Sequence, residues 1–156
     1  MSSIEIDHLI KQAETLINNS DYEAASRLYE KVCQIDPSIS DSWFMLGIIH
    51  AEKGRMEEGR DCLKKAVELD PDAAEAHLNL GSGFSKMGDT EKGLYHYNLA
   101  AKTDPDYADA WMMLGLHYGK SGVYDEAERC FRHVVRILPD SYEGQMNLTM
   151  ALRAQA

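Results

Sequence analysis

Four prolines, Pro37, Pro71, Pro105 and Pro139, fall 34 residues apart, and no other feature limits the folding choices of this chain as strongly. A fixed step of this size marks a solenoid, in which each unit buries its apolar face against its neighbours. Proline forces the residue before it out of helical conformation, so a helix has to end at each of these points. Such an array offers extended surface and normally no enclosed catalytic pocket. The expectation is binding rather than chemistry.

The same residue types recur within each period. Leu9, Trp43, His77 and Trp111 are followed three positions on by Gln12, Leu46, Leu80 and Leu114. Next come the small residues Ala13, Gly47, Gly81 and Gly115, then Leu16, His50, Phe84 and Tyr118. These positions run i, i+3, i+4, i+7, which is one stripe of an α-helix. A turn follows at Gly54, Gly88 and Gly122, with Ser20 in the first unit, where glycine fits a left-handed helix end at no steric cost. A second helix shows Ala25, Gly59, Gly93 and Ala127, then Tyr29, Leu63, Tyr97 and Phe131, then Val32, Ala66, Ala100 and Val134. Large residues matched to small ones are what close helix–helix contact needs. Each unit is predicted to be a helix–turn–helix hairpin.

This order of Trp, Leu-Gly, an aromatic, a turn Gly, Ala, an aromatic, Ala and Pro resembles the tetratricopeptide repeat (TPR). Four units carry it, about residues 6–39, 40–73, 74–107 and 108–141. Residues 142–156 keep the register through Met146, Leu148, Thr149 and Leu152 and read as a capping helix. The resemblance implies an all-α, right-handed superhelical α-solenoid, a single array over residues 1–156, acting as a non-enzymatic protein-binding adaptor. The first unit departs from the pattern at Leu9 and Ser20, as terminal units do. The last helix carries no stop signal. That leaves open a targeting region of a larger transferase.

Composition narrows the partners. Sixteen Lys and Arg against 26 Asp and Glu give a net charge of −10 with no basic stripe, which disfavours nucleic acid and anionic membrane surfaces. No 18-residue apolar run is present, so no membrane span is expected. Glu5, Asp7, Lys11 and Glu14 speak against a signal peptide. Cys62 and Cys130 hold the same repeat position two units apart, more than one helix spacing of roughly 8–10 Å, whereas a disulfide needs Cα atoms within about 7 Å. With Cys33 the cysteines are odd in number. Reduced thiols and a cytoplasmic setting are expected.

The first helix of each unit carries a second apolar stripe beyond what packing needs. It comprises Ile10; Phe44, Met45 and Ile48; Leu78; Met112, Met113 and Leu116; Met146 and Met150. In the TPR family this face lines the concave side, where ligands lie. The expected role is a groove for an apolar or amphipathic segment of a partner protein, with Phe44 and the methionines as adaptable anchors. Homo-oligomeric scaffolding through the same stripe is one alternative, and a TPR chaperone of secreted proteins is another. Superhelical curvature could instead bury it. A groove predicts that Met113→Glu abolishes binding with little change in melting temperature.

Beside the stripe runs an acidic row, Asp7, Asp41, Glu75, Asp109 and Glu143. One reading is a rail that selects a basic partner. The other is capping, since Ser38, Asp72, Asp106 and Asp140 stand three residues before the last four, the spacing of a capping box. The positions where some TPR modules clamp a chaperone tail hold Ile10, Glu14, Met45, Glu75 and Asn79, and only Asn79 resembles that clamp. The asparagine ladder of the O-linked N-acetylglucosamine transferases reads here Lys11, Met45, Asn79, Met113 and Asn147, two rungs of five. Gly81-Ser82-Gly83 with Gly88 mimics a phosphate loop, but no strand precedes it and Asp89 stands where lysine is needed. The six histidines show no metal-ligand spacing, so neither metal nor cofactor is expected.

Overall fold

The computed structural model describes residues 3–156, and among these there are nine helices and no strand. Four hairpins follow one another: α1 (Ser3–Asn18) with α2 (Tyr22–Ile35), α3 (Ser40–Glu52) with α4 (Met56–Leu69), α5 (Ala74–Lys86) with α6 (Thr90–Thr103), and α7 (Ala108–Lys120) with α8 (Tyr124–Ile137). The ninth helix, α9 (Tyr142–Ala154), packs on α8. Every helix packs chiefly on its sequence neighbours, and α3 also reaches α5. The chain is an all-α solenoid.

The turn glycines do what the period requires. Gly54, Gly88 and Gly122 adopt φ of 75°, 88° and 75°, and Ser20 takes the same left-handed conformation at φ 61°. A side chain pays roughly 1–2 kcal/mol for that region. Ser20→Gly is therefore expected to raise the urea midpoint of unfolding, by up to about 1 kcal/mol after the added freedom of the unfolded chain is subtracted.

A second recurring device was not evident in the sequence. The side chains of Trp43 and Trp111 donate from Nε1 to the carbonyls of Pro37 and Pro105, both at 2.9 Å. His77 reaches Pro71 O through Nε2 at 3.0 Å, and Gln145 reaches Pro139 O. One side-chain donor thus ties each first helix from α3 onward to the proline before it. This explains how histidine and glutamine can stand where tryptophan is usual.

The capping boxes are not formed, and the loops show why. The side chains of Asp36, Asp70 and Asp104 accept instead from the backbone N–H of Ser38, Asp72 and Asp106, closing a turn two residues on. Helices α3, α5 and α7 then begin after Ile39, Ala73 and Tyr107, with no side-chain cap. Leu138 replaces the aspartate in the last unit, and there Ser141, not Asp140, caps α9 by accepting from Gly144 N–H at 3.1 Å.

The core is a chain of clusters, each bridging adjacent hairpins. Ala13, Ala25, Tyr29, Leu46 and Ile49 form the first, and Leu63, Leu80 and Phe84 the next. Tyr97, Ala100, Ala110, Leu114 and Cys130 continue it, and Ala127, Phe131 and Ala151 end it. The stripe expected to seat α9 is only partly covered: Leu148 packs inward, but Thr149 and Leu152 stay exposed. Their counterparts in α7 face α8, and α9 has no such second helix against it.

Candidate partner-binding groove

The sequence-predicted stripe falls on the first helices, but it is not a freely exposed strip. Met45 leans on the α1–α3 cluster, and Phe44 and Ile48 pack against Leu63, Leu80 and Phe84. Leu78 and Met113 pack on the Tyr97–Leu114 cluster, while Met112 and Leu116 cover Phe131 and Ala151. These residues, with Ile10 and Asn79, are half-buried. Those that join the clusters fill seams along the array and stay partly open to solvent. Only Met146 and Met150 on α9 are well exposed, at 42% and 61%.

The acidic row stays at the surface throughout: Asp7, Asp41, Glu75, Asp109 and Glu143 are all exposed. Asp41 and Glu75, from successive units, line one cleft of about 260 Å³ whose floor is Phe44. Their field is felt in the seams. Burial, then Glu14 and Asp41, pushes Tyr29 up to about 12. Burial, then Glu75 and Asp109, does the same to Tyr107.

A second cleft, of about 380 Å³, opens between α7, α8 and α9 over Leu116, Tyr124, Phe131 and Met150. Sequence reasoning missed Tyr124 and Phe131 here. The available signal was a set of small residues, Gly119, Ala127, Ala151 and Ala154, which leave the space open. Two periods earlier the same positions form a more polar cleft of about 280 Å³, with Ile48, Met56, Arg60 and Asn79 in its wall. The two asparagines of the ladder pattern are already engaged. Asn79 Nδ2 donates to Glu75 O at 2.9 Å, and Asn147 Nδ2 meets Met112 Sδ at 3.5 Å.

The remaining polar candidates are structural. No group of three or more metal-ligating side chains is assembled among the described residues. Gly81 packs against Tyr97, where an added Cβ would meet Cδ1 at 2.8 Å, so it belongs to the helix contact and not to a phosphate loop. Cys33, Cys62 and Cys130 are unpaired, and burial pushes their thiols up to about 12, 11 and 11, which leaves them protonated and unreactive at neutral pH.

His77 and His96 form a pair, Nδ1 to Nδ1 at 3.1 Å. A carbonyl only accepts, so the bond to Pro71 O puts the hydrogen of neutral His77 on Nε2. His77 Nδ1 is then a lone pair, and His96 Nδ1–H must be the donor. Burial, with His77 and Lys64 beside it, holds His96 down at about 4. Burial lowers His50 and His133 as well. A histidine with a depressed folded pKa supplies stability that is complete above its unfolded value near 6.5 and is lost as pH falls below it. The urea midpoint is expected to decline from pH 7 to pH 5, and the decline to be shallower in His96→Gln. An unchanged slope would refute the assignment.

A TPR repeat family model matches residues 47–88, and a tetratricopeptide repeat model matches residues 9–39 and 108–141. No curated protein sequence matches the chain. Among solved structures, the crystal structure of MamA protein is similar at 25% identity and a TM-score of 0.86, covering 96% of this chain and 82% of that one. The crystal structure of YrrB, described as a TPR protein with an unusual peptide-binding site, shares 20% identity at a TM-score of 0.79 over 94% of this chain and 76% of that one. A mutant O-GlcNAc transferase from Thermobaculum terrenum matches at 28% identity and a TM-score of 0.77, over 87% of this chain but only 27% of the enzyme.

Proposed function

The chain belongs to the tetratricopeptide repeat family, and from that premise we propose that it is a non-enzymatic adaptor binding an amphipathic, basic segment of a partner protein along its first helices. The observation that carries this reading is the cleft in which two exposed carboxylates, Asp41 and Glu75, flank the half-buried ring of Phe44. A lysine or arginine can lay its methylene stem on the ring and its charge between the carboxylates. Farther along, the cleft beside Met150 accepts an apolar side chain. The whole array is proposed to act as one surface. No described helix is long and apolar enough to cross a membrane. We place the protein in the cytoplasm, where its three thiols would stay reduced.

Affinity capture from the native lysate tests the reading, with wild type set against Asp41→Lys/Glu75→Lys and against Met150→Glu. All three side chains are exposed, so folding is expected to be unaffected. Prey lost from both variants would identify the partner. Prey retained by both would overturn the groove.

A second reading, homo-oligomeric scaffolding, is favoured by the uncovered face of α9, along which Tyr142, Met146 and Leu152 are all exposed, Tyr142 at 79%. Concentration-dependent mass in light scattering, abolished by Met146→Glu, would support it. A constant monomer mass would exclude it.

A further inference from the structure

In a chain of net charge −10, three cations line one cleft beside an aromatic ring. Lys64 of α4 and Lys92 of α6 each place an ammonium 5.5 Å from the centroid of Phe84. Arg60, one helical turn before Lys64, lines the same cleft, which encloses about 640 Å³. The proposed groove lies on the first helices, whereas this cleft lies between two second helices over the end of α5.

The cleft has an aromatic wall. Phe84 is only 6% exposed, and His96 stacks on it at 5.6 Å and 4°. Tyr95, 61% exposed, stands edge-on to His96 at 5.2 Å. The cations are available. Arg60 shares Asp61 and Lys92 shares Asp89, but such solvent-open pairs exchange at little cost. Lys64 has no carboxylate within 4.0 Å among the described residues.

We propose that this cleft docks an acidic segment of a partner protein, its carboxylates held by Lys64, Lys92 and Arg60 and an adjoining apolar side chain resting on Tyr95. One feature favours a peptide over an inorganic anion. His96 donates through Nδ1 to His77, so its Nε2 is a lone-pair acceptor that no hydrogen bond occupies. A peptide backbone N–H can fill that acceptor while the side-chain carboxylates of the same segment meet the cations. The remaining acidic surface repels an acidic segment elsewhere, which fixes where it docks.

Fluorescence anisotropy with a labelled peptide of alternating glutamate and tyrosine tests this on the full chain. The affinity is expected to fall on the order of tenfold in Lys64→Glu/Lys92→Glu and to weaken with added salt. Both lysines are exposed, so the double variant folds. Equal binding of a glutamine–tyrosine peptide, or unchanged affinity in the double variant, would overturn the proposal. Displacement by phosphate where chloride of equal ionic strength has no effect would overturn the choice of a carboxylate ligand. Met150→Glu and Asp41→Lys should leave this binding intact, so it stands or falls separately from the groove.

Discussion

Gly59→Ala is expected to destabilise the chain by about 2–3 kcal/mol, although alanine is the better helix former by up to about 1 kcal/mol. Gly59 lies inside α4 where it crosses α3. A Cβ there would stand 2.9 Å from the carbonyl oxygen of Gly47 and 3.0 Å from the amide of Ala51. Both are backbone atoms of a packed helix and cannot rotate aside, so α3 and α4 would have to separate. That separation would loosen Leu63, which sits over Gly47 and joins the cluster with Leu80 and Phe84. Gly83 supplies the control. It is also within a helix, but a Cβ there meets nothing within 4 Å. Gly83→Ala should therefore stabilise by about 0.5–1 kcal/mol. Urea unfolding of the two variants, run in parallel, should move the midpoint in opposite directions. A gain in stability for both would mean that the α3–α4 contact is looser than the geometry states.

The same contrast shows how far the sequence could be read. Hairpins, turns and the pairing of small with large residues follow from a repeating pattern, because identical local physics acts four times. Gly47 opposite Leu63, Gly81 opposite Tyr97 and Gly115 opposite Phe131 meet as the period implied. What departs from the period was harder to see. The aspartates before Pro37, Pro71 and Pro105 form their own two-residue turns, so carboxylate spacing alone misassigned the caps. The bond from Trp43, His77, Trp111 and Gln145 to a proline carbonyl unites three chemically different kinds of side chain through one N–H, which residue type conceals. The cationic cleft around Phe84 is built from two second helices and one first helix, so no single-helix pattern reveals it. For the candidate groove, periodicity told which residues share a face. It could not tell how much of each the neighbouring hairpin covers.

That last point reverses one expectation. Met113→Glu would be a clean probe of binding if Met113 stood free on a groove floor. Met113 instead packs against the cluster of Tyr97, Ala100, Ala101, Ala110 and Leu114 that joins the third hairpin to the fourth. A glutamate there would either hold a carboxylate against this apolar surface or swing out and leave a void, and each route costs about 2–3 kcal/mol. The expected result is a lower melting temperature, by about 4–12 °C for a domain of this size. Any loss of binding would then mix two causes. Met150, 61% exposed at the rim of the α7–α9 cleft, separates them, because Met150→Glu places the charge where water already solvates it. Binding lost at constant melting temperature in Met150→Glu, together with a depressed melting temperature in Met113→Glu, is the pattern this packing requires. A Met113→Glu protein that melts like the wild type would show instead that the seam opens to solvent, and that the floor of the groove is as exposed as its period suggested.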